Sequence, residues 1–159
     1  MCFFLINVLS GGRVSVVFFI VLILLSIIIN KILVSISEQS KRPILLPIAL
    51  QGSYFLLQVF GGLLLTIYLG IQTESYQILS SIVFLTGLIW FFYMPSLGPI
   101  FLLTTYHIIS TLMNLFVTLP ESDLLIPGAY SEMALQSFIT HTIFRIIVIW
   151  LMFSRIRKI

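Results

Sequence analysis

Three side chains in this sequence could carry chemistry: His107, His141 and Arg145, set among stretches that are otherwise almost wholly apolar. Imidazole titrates near neutral pH and suits proton relay, whereas guanidinium is a permanent cation that lines ion paths or holds an anionic partner. His107 has company. Thr104, His107, Thr111, Asn114 and Thr118 recur at steps of three and four, which puts them on one face of a helix. Ser137, His141 and Arg145 are each four apart and share a second face. Gln51, Gln58, Gly62 and Thr66 form a third, polar and small, where helices can approach closely. No Gly-rich phosphate loop, HExxH, CxxC or nucleophile elbow occurs, so no catalytic residue of a soluble-enzyme type is expected. The lone Cys2 excludes an internal disulfide framework and a thiolate metal cluster. His107 lies about two turns into its helix from a proline turn, and His141 near the middle of its own. That difference in depth disfavours bis-histidine haem, and no cofactor or metal is expected.

The elements that must position these residues follow from composition. Of 159 residues, 60% are hydrophobic and 8% charged, and the mean hydropathy is +1.20. Soluble domains carry about 25% charged residues, so lipid must be the solvent for most of this chain. The net charge of +3 is not gathered into a basic stripe, which excludes a nucleic-acid role. Lipids and other membrane subunits are the expected partners. A chain rich in Phe, Ile and Leu with few lysines in its loops suits an organelle-encoded membrane protein.

Read in order, the sequence predicts one all-α transmembrane domain over residues 1–159, with five spans at about 14–36, 48–71, 78–94, 100–119 and 131–153. The apolar segment from Met1 to Ser10 is too short to span and lacks the basic start of a signal peptide, so it reads as a retained interfacial piece. Pro47 marks the start of the second span, and Pro95 to Pro99 turn the chain between the third and fourth. Trp90 and Tyr93 beside that turn suit an interface. Lys31 and, in part, Arg145 lie close enough to their span ends to snorkel. Arg145 would pair with a carboxylate, for instance of a neighbouring subunit, or line an ion or proton path.

An odd span count puts the termini on opposite sides. Arg13, Glu74, Glu121 and Asp123 fall on one side; Lys41, Arg42, Arg155, Arg157 and Lys158 fall on the other. The positive-inside rule then gives N-terminus out and C-terminus in.

Two stretches together resemble the NADH dehydrogenase subunit 2 family, an antiporter-like membrane subunit of respiratory complex I. Tyr54-Phe55-Leu56-Leu57-Gln58 followed by Gly61-Gly62 is similar to that family's KYFLxQ helix. Gly87, the aromatic run Trp90 to Tyr93, Pro95, Gly98 and then Leu103-Thr104-Thr105-Tyr106-His107 resemble its GxxPFHxW…P segment and LTWQK helix. Order and spacing agree over roughly residues 50 to 115. The family's lysines are replaced: Ser53 stands before the first motif, Leu85 or Thr86 before Gly87, and His107 at the LTWQK lysine. No PFH occurs, and the chain is about half the family's usual length. The resemblance implies a membrane-arm subunit in which His107 alone could stand in for a relay lysine, or one that mainly bridges antiporter-like neighbours.

Three functional classes therefore stand. One is an inner-membrane subunit of a respiratory complex, with His107, His141 and Arg145 as proton-relay candidates. The second is a non-catalytic scaffold or anchor of another membrane complex. The third is a small transporter that must oligomerise to complete a pathway.

Overall fold

A computed structural model of the chain describes residues 13–69, 75–118 and 132–157. Five helices account for nearly all of them: α1 Arg13–Ile36, α2 Arg42–Leu69, α3 Ser75–Tyr93, α4 Leu97–Met113 and α5 Glu132–Ile156. A short 3-10 turn, Gln39–Lys41, leads into α2, and a π-helical turn, Asn114–Thr118, prolongs α4. No strand occurs among the described residues. The segment Met1 to Ser10, the Glu74 turn, the Pro120 to Tyr130 loop and Lys158 lie outside the described residues, as do the side chains of Thr66, Thr118 and Ser137.

Among the described residues, four apolar segments are long enough to cross a membrane: Val17–Ile36, Gln39–Gly61, Leu97–Phe116 and Phe138–Ile156. A shorter apolar segment, Ile78–Tyr93, lies in α3. An all-helical fold is what a lipid-solvated chain requires, since each helix satisfies its own backbone N–H and C=O groups.

Two helix starts differ from expectation. Pro47 does not open α2 but sits inside it, fully buried. The opening is set by Pro43, in the first turn, where a missing N–H costs nothing. Ile44, Leu45, Ile48 and Ala49 are then drawn into the core. Packing of that first apolar turn outweighs the hydrogen bond lost at Pro47. Likewise α4 starts at Leu97, after an extended Ser96 at its N-cap. Pro99 thus falls in the first turn, where its fixed φ is compatible with helix.

Helix α2 is central and packs on α1, α3 and α5, while α4 closes against α3 and α5. The core joins Phe18 and Leu22 of α1, Ile44, Ile48 and Tyr54 of α2, Phe84, Leu88 and Phe91 of α3, Ile100 and Leu103 of α4, and Phe144, Val148 and Met152 of α5. Helix α1 is peripheral: Phe18, Leu22 and Ser26, four residues apart, form its buried line. Val17, Ile20, Ile23, Leu24, Ile27, Ile28 and Ile32 remain exposed. Such a wide apolar surface is intolerable in water and ordinary in lipid.

One end of the bundle is fixed by aromatic contacts. The Lys41 ammonium lies 5.3 Å from the Phe92 ring centre and 5.7 Å from that of Tyr93. Phe101 and Phe153 meet edge to face at 6.2 Å. The α1–α2 connection, the α3–α4 turn and the end of α5 therefore gather at the same end, and successive helices alternate in direction.

Helices α3 and α4 are brought together at Gly87. A Cβ there would lie 3.0 and 3.1 Å from the Leu103 side chain and 3.3 Å from Leu102, whereas one at Gly52 would meet Leu88 at an ordinary 3.9 Å. Gly87→Val is therefore expected to destabilise the bundle by about 1–3 kcal/mol through overpacking. Gly52→Ala should leave stability unchanged or raise it by up to about 1 kcal/mol. Unfolding midpoints of the two variants in detergent or lipid nanodiscs check both.

Candidate functional site

Arg145 lies in the third turn from the end of α5 but does not snorkel to that end. It is 3% exposed. A helical side chain leans toward its own N-terminus, and α4 runs antiparallel to α5, so the guanidinium meets the C-terminal half of α4. There Nη1 donates to Thr111 Oγ1 at 2.7 Å and Nη2 donates to Ser110 Oγ at 2.9 Å. Thr111 in turn donates to the His107 carbonyl at 2.8 Å. Ser110 also hydrogen-bonds the side chain of Tyr106, one turn earlier. The guanidinium is thus held by hydroxyls, and no carboxylate contacts it among the described residues.

The polar groups continue sideways. Tyr106 and the Tyr54 hydroxyl of α2 are close enough to interact electrostatically. Tyr54 Oη lies 3.5 Å from His141 Nδ1, at the limit of hydrogen bonding. His141 is caged by rings: Phe18 at 5.5 Å, Phe19 at 6.4 Å and Tyr54 at 5.9 Å between centres. A lateral series, His141, Tyr54, Tyr106, Ser110, Arg145 and Thr111, therefore crosses α5, α2 and α4 inside an apolar bundle.

His107 occupies a separate aromatic pocket. Its ring packs edge-on against Phe84 at 5.8 Å and Tyr106 at 5.4 Å. It is 2% exposed, and neither ring nitrogen has a hydrogen-bond partner. Thr104 Oγ1, one turn before it, and Arg145 Nε are likewise buried and unpartnered. Buried polar groups are nearly always satisfied, so such a cluster calls for an explanation. In a low-dielectric interior such unpaired groups are costly.

The α-helix gives way to a π-helical turn directly after Met113, less than one turn past Thr111. The Asn114 N–H is shared between the Ser110 and Thr111 carbonyls, and side-chain bonding of Thr111 back to its own helix favours such distortion. π-Helical turns are frequent at functional sites.

The structure thus brings two of the three expected residues, His141 and Arg145, into one polar series, and leaves the His107 ring beside it. The stripe of Thr104, His107 and Thr111 does face protein: Thr111 accepts from Arg145, and Thr104 and His107 turn inward. Gln51, on the stripe of α2, donates to Met152 Sδ; its Oε1 has no partner. Ser53, where the resembled family has lysine, is fully buried and bonds the Ala49 carbonyl at 2.7 Å. Sequence reasoning passed over Tyr54, Tyr106 and Ser110 as polar groups. Signals existed: Tyr54 lies three residues from Gln51 and four from Gln58, and Ser110 three from His107. Among the described residues no group of three or more His, Cys, Asp or Glu could hold a metal ion.

Comparison of the chain with protein-family models, curated proteins and solved structures finds no match.

Replacing Thr111 by Val keeps the shape but removes the acceptor from a buried guanidinium, so it should cost about 2 kcal/mol. Ser35→Ala, at an exposed hydroxyl bonded only within α1, should change stability by less than about 0.5 kcal/mol. The difference between their unfolding midpoints measures the Arg145 contact.

Proposed function

We propose that this chain is an integral subunit of a respiratory complex of the mitochondrial inner membrane, in the membrane arm of NADH:ubiquinone oxidoreductase. The observation that carries this reading is the lateral polar series from His141 through Tyr54, Tyr106 and Ser110 to Arg145, inside a bundle with an apolar exterior. Rotatable hydroxyls between a titratable imidazole and a fixed cation provide what proton movement through a dry interior requires. Its position agrees with the resemblance to NADH dehydrogenase subunit 2, which spans Tyr54 and Tyr106 to His107.

In this reading all five helices cross the bilayer. The 19 residues of α3 reach about 28 Å, close to the hydrocarbon thickness. The end bearing Lys41, Arg42 and Arg155 faces the matrix, and the N-terminus faces the opposite side. His141 exchanges the proton, Arg145 sets the local potential, and His107 is a second exchange point reached through Thr104 and Tyr106. The subunit has no active site of its own and acts through its neighbours.

A native gel of mildly solubilised membranes, stained for NADH oxidation and probed for this protein by mass spectrometry, tests the assignment. Co-migration with the megadalton NADH-oxidising band is expected; migration with a band lacking that activity would overturn it. Within the complex, His141→Ala and Arg145→Ala are expected to lower proton pumping while assembly survives. Loss of assembly with pumping per assembled complex unchanged would instead mark the chain as a scaffold.

A further inference from the structure

We propose that Lys41 and Arg42 bind the phosphate headgroup of an anionic phospholipid, whose acyl chain lies along the outer face of α3. The inference goes beyond the proposed function and holds whichever complex the chain belongs to.

The Lys41 ammonium is held at the end of α3, 5.3 Å from the Phe92 ring centre and 5.7 Å from that of Tyr93. The rings fix this charge without neutralising it, and its three N–H donors still favour an oxygen acceptor. Arg42, the next residue, is exposed and begins α2, whose N-terminal dipole adds positive potential. Tyr93 is 66% exposed, and its O–H is a further donor at the same rim. Among the described residues Glu38 is the one carboxylate at this end, where it accepts from Ser40 Oγ at 3.5 Å. Glu132 begins α5 at the opposite end. Against Glu38 stand Lys41, Arg42, Arg155 and Arg157, so positive charge prevails.

An apolar line leads away from these cations. Ile82, Leu85, Ile89 and Tyr93 fall at steps of three and four and are all exposed, so they form one outward line on α3. Helix α2 runs beside it: Phe55 stacks on Phe84 at 5.6 Å, and a Cβ at Gly52 would meet Leu88 at 3.9 Å. Leu56, next to Phe55, is exposed as well. From Tyr93 back to Ile82 is about 16 Å of helix, close to one leaflet of a hydrocarbon core about 30 Å thick. An acyl chain needs only such a surface, not a cavity. A free phosphate ion would use the cations and leave the apolar line bare. Cations, interfacial rings and an apolar line, in that order, are the complement of an anionic lipid.

The test is photo-crosslinking of the full chain, purified with whatever subunits accompany it and held in phosphatidylcholine nanodiscs. Each disc carries a trace of phosphatidylglycerol or phosphatidylcholine bearing the same diazirine on its acyl chain, and adducts are located by mass spectrometry. In wild type the phosphatidylglycerol probe is expected to label residues 82–93 about tenfold more than the phosphatidylcholine probe. The exposed face of α1 at Ile20, Leu24 and Ile27 should take both alike. Lys41→Gln and Arg42→Gln are each expected to cut the preference about fivefold, the attraction of one basic residue for anionic lipid. Arg155→Gln, at the same end but on α5, should leave it within about twofold.

Equal labelling of residues 82–93 by both probes would overturn the proposal. So would labelling by neither, which would mean that a protein partner covers this face. A preference unchanged in both Lys41→Gln and Arg42→Gln, or reduced as far by Arg155→Gln, would replace a defined site with diffuse attraction. If the variants do not accumulate, unlabelled phosphatidylglycerol must displace the wild-type adducts saturably where phosphatidylcholine does not; failure to do so is the disproof. Because the readout is lipid labelling rather than NADH oxidation, it stays separate from the assignment to a respiratory complex.

Discussion

A guanidinium cannot shed its charge when it leaves water, and the arrangement of this bundle follows from housing one at Arg145. Burial to 3% exposure removes its hydration. Helix α4 must then present Ser110 and Thr111 at hydrogen-bonding distance, which fixes how α4 and α5 are rotated and shifted against each other. With that register set, Tyr106 and His107 lie one turn toward the α3–α4 turn and point inward, and Tyr54 of α2 comes within reach of His141.

Around this polar interior the packing is aromatic. Phe84 contacts Phe55, Tyr106 and His107, and Tyr54 stacks on Phe144 at 5.0 Å. Rings suit such a site: they fill space without adding hydrogen-bond demands, and their edges and faces accommodate an imidazole. They also keep the polar series narrow, since a ring cannot substitute for a missing acceptor. Close approach of α3 to α4 at Gly87 holds Phe84 against His107 from the other side. The two polar pockets are thus adjacent yet separated by a layer of rings.

The periphery obeys a different logic. Helix α1 buries one line of residues on α2 and exposes branched aliphatic side chains elsewhere, as a helix solvated by lipid does. Dispersion against neighbouring helices, rather than any gain from leaving water, must then hold the helices together, so small residues and shared polar groups carry more of the association than in a soluble protein. Phe18 is where this outer helix touches the site, through its contacts with Tyr54 and His141.

Helix content and the polar stripe on α4 were readable in the sequence, because both follow from local rules: runs of apolar residues about 20 long, broken by proline, and a repeat of three and four in the polar positions. The same rules placed Arg145 and His141 on one face of α5. They could not tell that Pro47 sits within a helix, since the burial of Ile44, Leu45 and Ile48 that carries α2 past it is a tertiary effect. Nor could they tell that Arg145 turns inward to two hydroxyls, because which residues of α4 stand opposite it depends on the relative shift of two antiparallel helices, a quantity absent from either helix alone. Tyr54 and Tyr106 became polar partners for the same reason. Periodicity identifies the face that a helix must hide; only the packing of one helix on another decides what that face meets.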